Sequence, residues 1–555
     1  MASRIAPSMT LSSPVPPVKR SLASIWLIWI VVVFGALNIH SSVNPDILGD
    51  PPGASAGKRG LANILVLLRD DGDTRRYFAY AEAILGRPYD SSYVQPGNEE
   101  ARASHAAHAI ARPDRPLLPW RDFTVEYPPG MLVVALLPAL FTSDFPTYHL
   151  LFSLLMGLLL TGCAWLVVKT ARRLSPGSER DALQLSTLFV AALGVVAVRR
   201  YDALVAFAIA AALYGLVGRK PARSGLGLAV GVIAKVTPLL LAPIGVMFWV
   251  RRGRWRELRV AAAASIVTGA VAAAIYFVVA RDHAFDTLAY HVDRPVQIES
   301  PYGAILILAE LFHHGLIHIV SSYGSHNIQS SAEPPLRQLS SVFLGGAILG
   351  VLGWFWWAIG RARDEASQHR AVMAACTAAL IAFIALGKVF SPQYLLWLLP
   401  SGAIAAALSS ERSRLAFIVV ALLTQLEFPF VYQVDTSWRE QLIAAVALLR
   451  DGAMIACAVS LMIEASRACL SSRSDPVALK RSRILEGSAI QHGDDIPLFV
   501  EASTPEWAHA AKGAGRSTID GLERRPLAPT AFSEGSSVSA LDLRCAPHSR
   551  PRTTS

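Results

Sequence analysis

Apolar runs of about 20 residues recur from residue 22 to residue 465, separated by short polar and basic stretches. Each run is close to the length a helix needs to cross a hydrocarbon core. The pattern predicts an all-α polytopic membrane protein, with crossings near 23–40, 147–168, 182–198, 202–218, 224–236, 238–250, 257–280, 341–360, 370–387, 393–408, 413–432 and 440–465. Short basic loops set their direction, because Lys- and Arg-rich connections stay cytoplasmic. These loops are 169-KTARR-173, 219-RKPAR-223, 251-RRGRWRELR-259, 361-RARDEASQHR-370, 411-ERSR-414 and 466-SRACLSSR-473, with Lys19 and Arg20 beside them. About twelve crossings then put both termini in the cytoplasm. The two short spans around Lys235 read as a bent hairpin. Two further apolar segments, 129–142 and 303–320, break the parity and are expected to be re-entrant or interfacial helices on the outer side.

This layout turns the poorly basic, motif-like loops outward: 41–128, 199-RRYDA-203, the turn at Lys235, 281–302, 387-GKVFSPQY-394 and 427-EFPFVYQVDTSW-438. The loop 41–128 is much the longest, and loops of that length are usually functional or disordered. Within it, 73-DTRRYFAYAEAILGRPY-89 repeats Tyr77, Phe78, Ala81, Ile84 and Leu85 at helical spacing, which predicts an amphipathic helix in the membrane interface. Residues 90–118 read as a flexible insertion. Residues 1–22 form a cytoplasmic N-terminal segment, 23–470 the transmembrane domain, and 471–555, dominated by Ser, Arg, Pro and Gly without periodicity, a disordered cytoplasmic tail.

Composition agrees with a membrane protein. Of the 555 residues 17% are charged, against roughly a quarter in soluble domains. The net charge of +10 fits loops facing anionic lipid and excludes no fold, but gives no reason to invoke nucleic acid. Cys163, Cys376, Cys457, Cys469 and Cys545 show no CxxC spacing, so no disulfide framework or metal cluster is implied. The run 23-ASIWLIWIVVVFGALNI-39 follows Lys19 and Arg20 as a signal peptide would, yet no small-x-small cleavage site follows it, so it reads as an uncleaved first span.

Several polar residues exceed what membrane anchoring requires. Asp73 opens the amphipathic helix, where a carboxylate serves as N-cap or as a catalytic base; Asp70 and Asp71 would cap equally well. In 121-RDFTVEYPPG-130 the prolines rigidify entry into a helix. They do not account for Asp122 or Glu126, carboxylates that can bind a metal, accept a proton or hold a sugar hydroxyl. Arg199, Arg200, Lys235, Arg294 and Lys388 lie at outer ends of spans. Each alone reads as a snorkelling anchor, and together they point to anion binding. The pairs His105/His108 and His314/His318 have i,i+3 and i,i+4 spacing but no third ligand at a clear offset.

The ordered set Asp73, Tyr77, Gly86, Pro88-Tyr89, RDFTVEYPPG, 199-RRYDALVA-206, 235-KVTPLLLAP-243, 294-RPVQIESPYG-303, 388-KVFSPQYLLWLLP-400 and 425-QLEFPFVY-432 resembles glycosyltransferase family 87, of the GT-C fold, over about residues 20–465. That family is the polyprenol-phosphate-mannose-dependent α-mannosyltransferase-like group. The sequence departs from it where about thirty residues separate Pro88-Tyr89 from Trp120-Arg121-Asp122, which leaves the acceptor pocket open. The resemblance implies an inverting transfer of a sugar, mannose first among the candidates, from a polyprenyl-phosphate donor to a cell-envelope glycolipid or glycan at the outer face of the plasma membrane. Asp73 would be the general base. Arg294, Lys235, Lys388 and Arg200 would bind the donor phosphate. Asp122, Glu126, Tyr127, Gln297, Glu299, Gln393 and Tyr394 would orient loop or substrate. No nucleotide-binding loop is visible, and a metal is not required, although some GT-C enzymes use one. The alternative is a transporter or lipid flippase; the absence of an internal repeat and the gathering of charge at span ends weigh against it. A scaffold that has lost its catalytic base is a further alternative.

Overall fold

The computed structural model describes residues 21–42, 72–94, 109–434 and 436–471. The segment before residue 21, Asp70, Asp71, His105, His108 and the tail beyond 471 lie outside the described residues. In chain order the helices are α1 (Leu22–Ser42), α2 (Gly72–Ile84), α3 (Pro129–Ala139), α4 (Phe145–Leu174), α5 (Ser178–Leu193), α6 (Val196–Arg199), α7 (Asp202–Val217) and α8 (Pro221–Ala234). They continue as α9 (Ala242–Arg251), α10 (Trp255–Ala280), α11 (Asp286–Asp293), α12 (Pro301–Ala309), α13 (Glu333–Arg361), α14 (Glu365–Ala385), α15 (Leu399–Ala407), α16 (Glu411–Gln425) and α17 (Arg439–Ser471). Two small antiparallel pairs complete it: β1 (Tyr89–Asp90) with β2 (Ile110–Ala111), and β3 (His318–Ser322) with β4 (Ser325–Gln329).

Among the described residues, six helices are long and apolar enough to cross a membrane: α4, α10, α13, α14, α16 with its extension to Phe430, and α17. Their starts are fixed locally. The Asp144 carboxylate accepts from Thr147 N at 3.0 Å to cap α4, and Asp364 accepts from Ser367 N at 2.8 Å to cap α14. Arg172 and Arg173 in the last turn of α4 complement its dipole. The alanine-rich α14 is buried over 89% of its apolar window, as small side chains permit when helix backbones approach closely. The corresponding window of α10 is 0% buried although its mean hydropathy is 2.1, so this helix meets a solvent that is itself apolar.

At one end of the bundle Arg414 pairs with Asp181 at 3.0 Å and Arg219 with Glu365 at 3.0 Å, tying together the connections before α5, α8, α14 and α16. The other end holds α2, α3, the breaks at Arg200, Lys235 and Lys388, and the β3–β4 hairpin.

Three expectations are corrected. The helix foreseen over 73–89 stops at Ile84, because Gly86 takes φ +71 and turns the chain toward β1. It does not rest on an interface by one face: Thr74, Tyr77, Tyr80 and Glu82 are buried against protein. The apolar segment 303–320 is helical only through Ala309 and then enters the hairpin, where Gly315 and Gly324 supply left-handed turns. His318 therefore begins a strand, and the His314/His318 pair shares no helix face. By contrast α3, at 11 residues, spans only about 16 Å and is too short to cross, as a re-entrant or interfacial segment would be.

Candidate active site

Asp73 and Arg76 sit three apart at the start of α2 and so share one face. Asp73 forms an ion pair with Arg200 at 2.9 Å, just beyond α6. Arg76 pairs with Glu126, whose second oxygen accepts from Tyr80 Oη at 2.7 Å. The two bonds turn a charged α2 inward, onto the segment that precedes α3. That segment is closed by Trp120 Nε1 donating to Tyr127 O at 3.2 Å. His291 on α11 donates from Nε2 to Glu126 O at 3.0 Å, since a carbonyl can only accept.

Lys235 stands where α8 ends. Its Nζ lies 2.8 Å from Asp202 Oδ1, which also accepts from Trp397 Nε1 at 2.7 Å. The ammonium sits over the rings of Tyr394, Trp397 and Tyr201 at 4.6, 4.7 and 5.1 Å. Gly130 lets the start of α3 reach this turn: a Cβ there would lie 2.8 Å from the backbone of Ala234. Replacing Gly130 with Ala is expected to force α3 away from Lys235 at a cost of about 1–3 kcal/mol. Thermal melting in detergent would show it, and an unchanged midpoint would mean that the contact gives freely.

Arg294 follows α11 and donates to Ser325 Oγ at 2.8 Å on the hairpin. Lys388 donates to Val292 O at 2.7 Å. Among the described residues neither Arg294 nor Lys388 forms an ion pair with a carboxylate. Arg294 is close enough to Asp73 to act on its charge, and Lys388 is in turn a neighbour of Arg294.

The electrostatics report the same convergence. Burial pushes the Asp73 carboxyl up, but Arg200, Arg76, Lys235 and Arg294 together hold it below the usual carboxylate range. Glu126 is likewise held low, burial being outweighed by Arg76 and the Tyr80 hydrogen bond. Burial, with Arg294 and Lys235 nearby, keeps His291 below the usual histidine range. Lys388 is brought down to about 8 by burial and by its cationic neighbours Arg337 and Arg294.

The other sequence candidates divide between this cluster and its supports. Tyr127 packs edge-on to Tyr77 and Tyr201, with centroids at 5.9 and 5.2 Å. Tyr394 stacks on Trp397 at 4.4 Å beneath Lys235. Asp122 pairs with Arg115 at 2.7 Å and accepts from Leu118 N, ordering its own loop. Gln393 accepts from Ser391 Oγ at 2.6 Å. Gln297 is buried and spends its carbonyl oxygen on Phe390 N at 3.2 Å, so it joins the Arg294 and Lys388 loops. Glu299 accepts from Tyr432 Oη. Among the described residues no group of three His, Cys, Asp or Glu is placed to hold a metal ion.

Three participants escaped the sequence reading. Arg76 was legible as the i+3 neighbour of Asp73, and Asp202 as the carboxylate within RRYDA. Arg450 carried no local signal beyond a charge inside an apolar run. It is fully buried, pairs with Glu427 and with Asp451 at 2.9 Å, and donates to Glu299 O at 2.7 Å.

Residues 123–392 match the model of glycosyltransferase family 87. That range contains Glu126, Arg200, Asp202, Lys235, Arg294 and Lys388, and begins after Asp73 and Arg76. No curated protein matches the chain. A solved structure with similarity is ArnT from Cupriavidus metallidurans, crystallised bound to undecaprenyl phosphate; it has 16% identity and a TM-score of 0.40, over 84% of this chain and 79% of that one.

Proposed function

From a chain whose residues 123–392 belong to glycosyltransferase family 87, we propose an inverting transfer from a polyprenyl-phosphate sugar, with mannose the first sugar to test. The acceptor is a cell-envelope glycolipid or glycan at the extracytoplasmic face of the plasma membrane. The observation that carries this reading is the meeting, from separate segments, of the Asp73 carboxylate with Arg200, Lys235 and Arg294.

The chemistry divides between the two halves of the cluster. The acceptor oxygen attacks the anomeric carbon from the face opposite the phosphate. The carbon–oxygen bond to phosphate breaks, and the phosphate leaves with the electron pair. Asp73, ionised at neutral pH, receives the hydroxyl proton. Arg294 and Lys388, which lack carboxylate partners among the described residues, meet the charge that develops on the departing phosphate. Lys235 and Arg200 are already paired with Asp202 and Asp73. Their roles are to hold these carboxylates and add field at the phosphate. Tyr127 and Tyr394, both partly exposed, offer ring faces and hydroxyls to a sugar.

The test supplies membranes containing the protein with polyprenyl phosphates carrying labelled mannose or other sugars and follows label into glycolipid and glycan. Absence of transfer from every such donor would overturn the reading. The same assay has an expected pH profile. Asp73 is held low, so its base form is present through neutral pH and lost only as pH falls below the usual carboxylate range. Lys388 titrates at about 8, so its charge is lost as pH rises through that value. Activity at sub-saturating donor is therefore expected to be level near neutrality and to fall above about pH 8. Lys388→Arg, which stays charged, should move that falling limb to higher pH.

A further inference from the structure

The end of the bundle away from Asp73 contains a cavity of about 740 Å³ between the start of α14, the α15–α16 turn and the last turns of α17. Three of the basic loops that oriented the sequence meet there. Arg370 comes from 361-RARDEASQHR-370, Arg412 from 411-ERSR-414 and Arg467 from 466-SRACLSSR-473. Among the described residues none of these three guanidiniums forms an ion pair or a hydrogen bond. The carboxylate in the lining, Glu464, is committed elsewhere: it accepts from Ser410 N at 2.7 Å and Ser413 Oγ at 2.7 Å at the start of α16. Three cations thus surround a space in which the one anion faces a helix end.

Ser409, Ser410, Ser460 and Ser471 add hydroxyls to the wall, and the rest of it is apolar. Leu408 and Leu461 line the cavity, and Ile463 lines it while 46% exposed on the outer surface of α17. Leu470, 42% exposed, continues that apolar surface along the helix. A free anion would use the guanidiniums and leave this wall wet. A phospholipid would use both, because its phosphodiester suits the planar donors of arginine and its acyl chain suits the exposed side of α17.

We propose that this cavity holds the phosphodiester headgroup of an anionic phospholipid, gripped by Arg370, Arg412 and Arg467, with an acyl chain lying along Ile463. The site is separate from the Asp73 cluster, and its test needs no transfer assay, so it stands or falls independently of the proposed activity.

The full chain, purified in detergent, is exposed to equal amounts of phosphatidylglycerol and phosphatidylcholine, and retained lipid is counted by native mass spectrometry. Phosphatidylglycerol is expected to be retained preferentially, with the preference falling roughly tenfold in the Arg370→Gln/Arg412→Gln/Arg467→Gln variant. The corresponding triple Lys variant should keep part of the preference, since charge without the planar fork remains. Should the triple Gln variant not fold, Arg467→Gln alone, on an exposed position, provides the comparison. Equal retention of both lipids by the parent, or undiminished preference in the Gln variant, would overturn the proposal. So would displacement by millimolar glycerol phosphate, which would assign the cavity to a soluble phosphate.

Discussion

Replacing Asp73 with Asn is expected to reduce sugar transfer by on the order of 10²–10⁴-fold while leaving the protein folded. The change removes the proton acceptor and keeps side-chain volume. It also removes a negative charge from a cluster containing Arg200, Arg76, Lys235 and Arg294. The field at the donor phosphate therefore becomes more positive. The variant should bind the lipid-linked donor at least as tightly as the parent, so the loss should appear in kcat and not as a raised KM for donor. A merely structural role for the Asp73–Arg200 pair predicts the opposite split, because Arg200 would swing free and disorder the site. The measurement is steady-state transfer at varied donor, with thermal melting as control for folding. Turnover within tenfold of the parent would move the base to another carboxylate, Glu126 or Asp202, and leave Asp73 as the ion-pair partner of Arg200 in the first turn of α2.

Arg450→Met is expected to be among the most destabilising single changes. The guanidinium is fully buried between α17, the Glu427 turn and the Glu299 loop, and it lies 3.3 Å from the centroid of the Phe390 ring. Its removal strands Glu427 and Asp451, both buried, without their cation. Breaking a buried pair from one side costs about 3–5 kcal/mol, mostly the desolvation of the charge left behind. The same loss withdraws the donor to Glu299 O. It also loosens Phe390, whose amide N donates to Gln297 Oε1 between Arg294 and Lys388. Thermal melting in detergent should show the destabilisation. Adding Glu427→Gln should recover part of it, since the second change removes a stranded charge. A single variant as stable as the parent, or a double variant worse than both single changes summed, would refute this account of the pair.

The sequence by itself determined the membrane class, because a length of apolar chain is a local property and needs no partner to read. It also exposed most of the polar residues of the site. Asp73, Glu126, Arg200, Lys235, Arg294 and Lys388 stand out because charge is costly beside an apolar run. The end of α2 was misjudged by a few residues, since apolar spacing continues through Leu85 while Gly86 decides the turn. The hairpin β3–β4 was missed because an apolar stretch of that length fits helix and strand alike, and only pairing between Ile319 and Ile328 selects strand.

What only the tertiary structure decided is pairing. Sequence spacing cannot tell that Lys235 meets Asp202 or that Arg76 meets Glu126 50 positions away. Nor can it tell that Arg450, outside every motif, fastens the Glu299 loop. Charge types follow from the local sequence, but whether a cation is neutralised depends on which distant carboxylate the packed helices bring within reach. That difference separates Lys235, already partnered, from Arg294 and Lys388, and it exists only once the chain has folded.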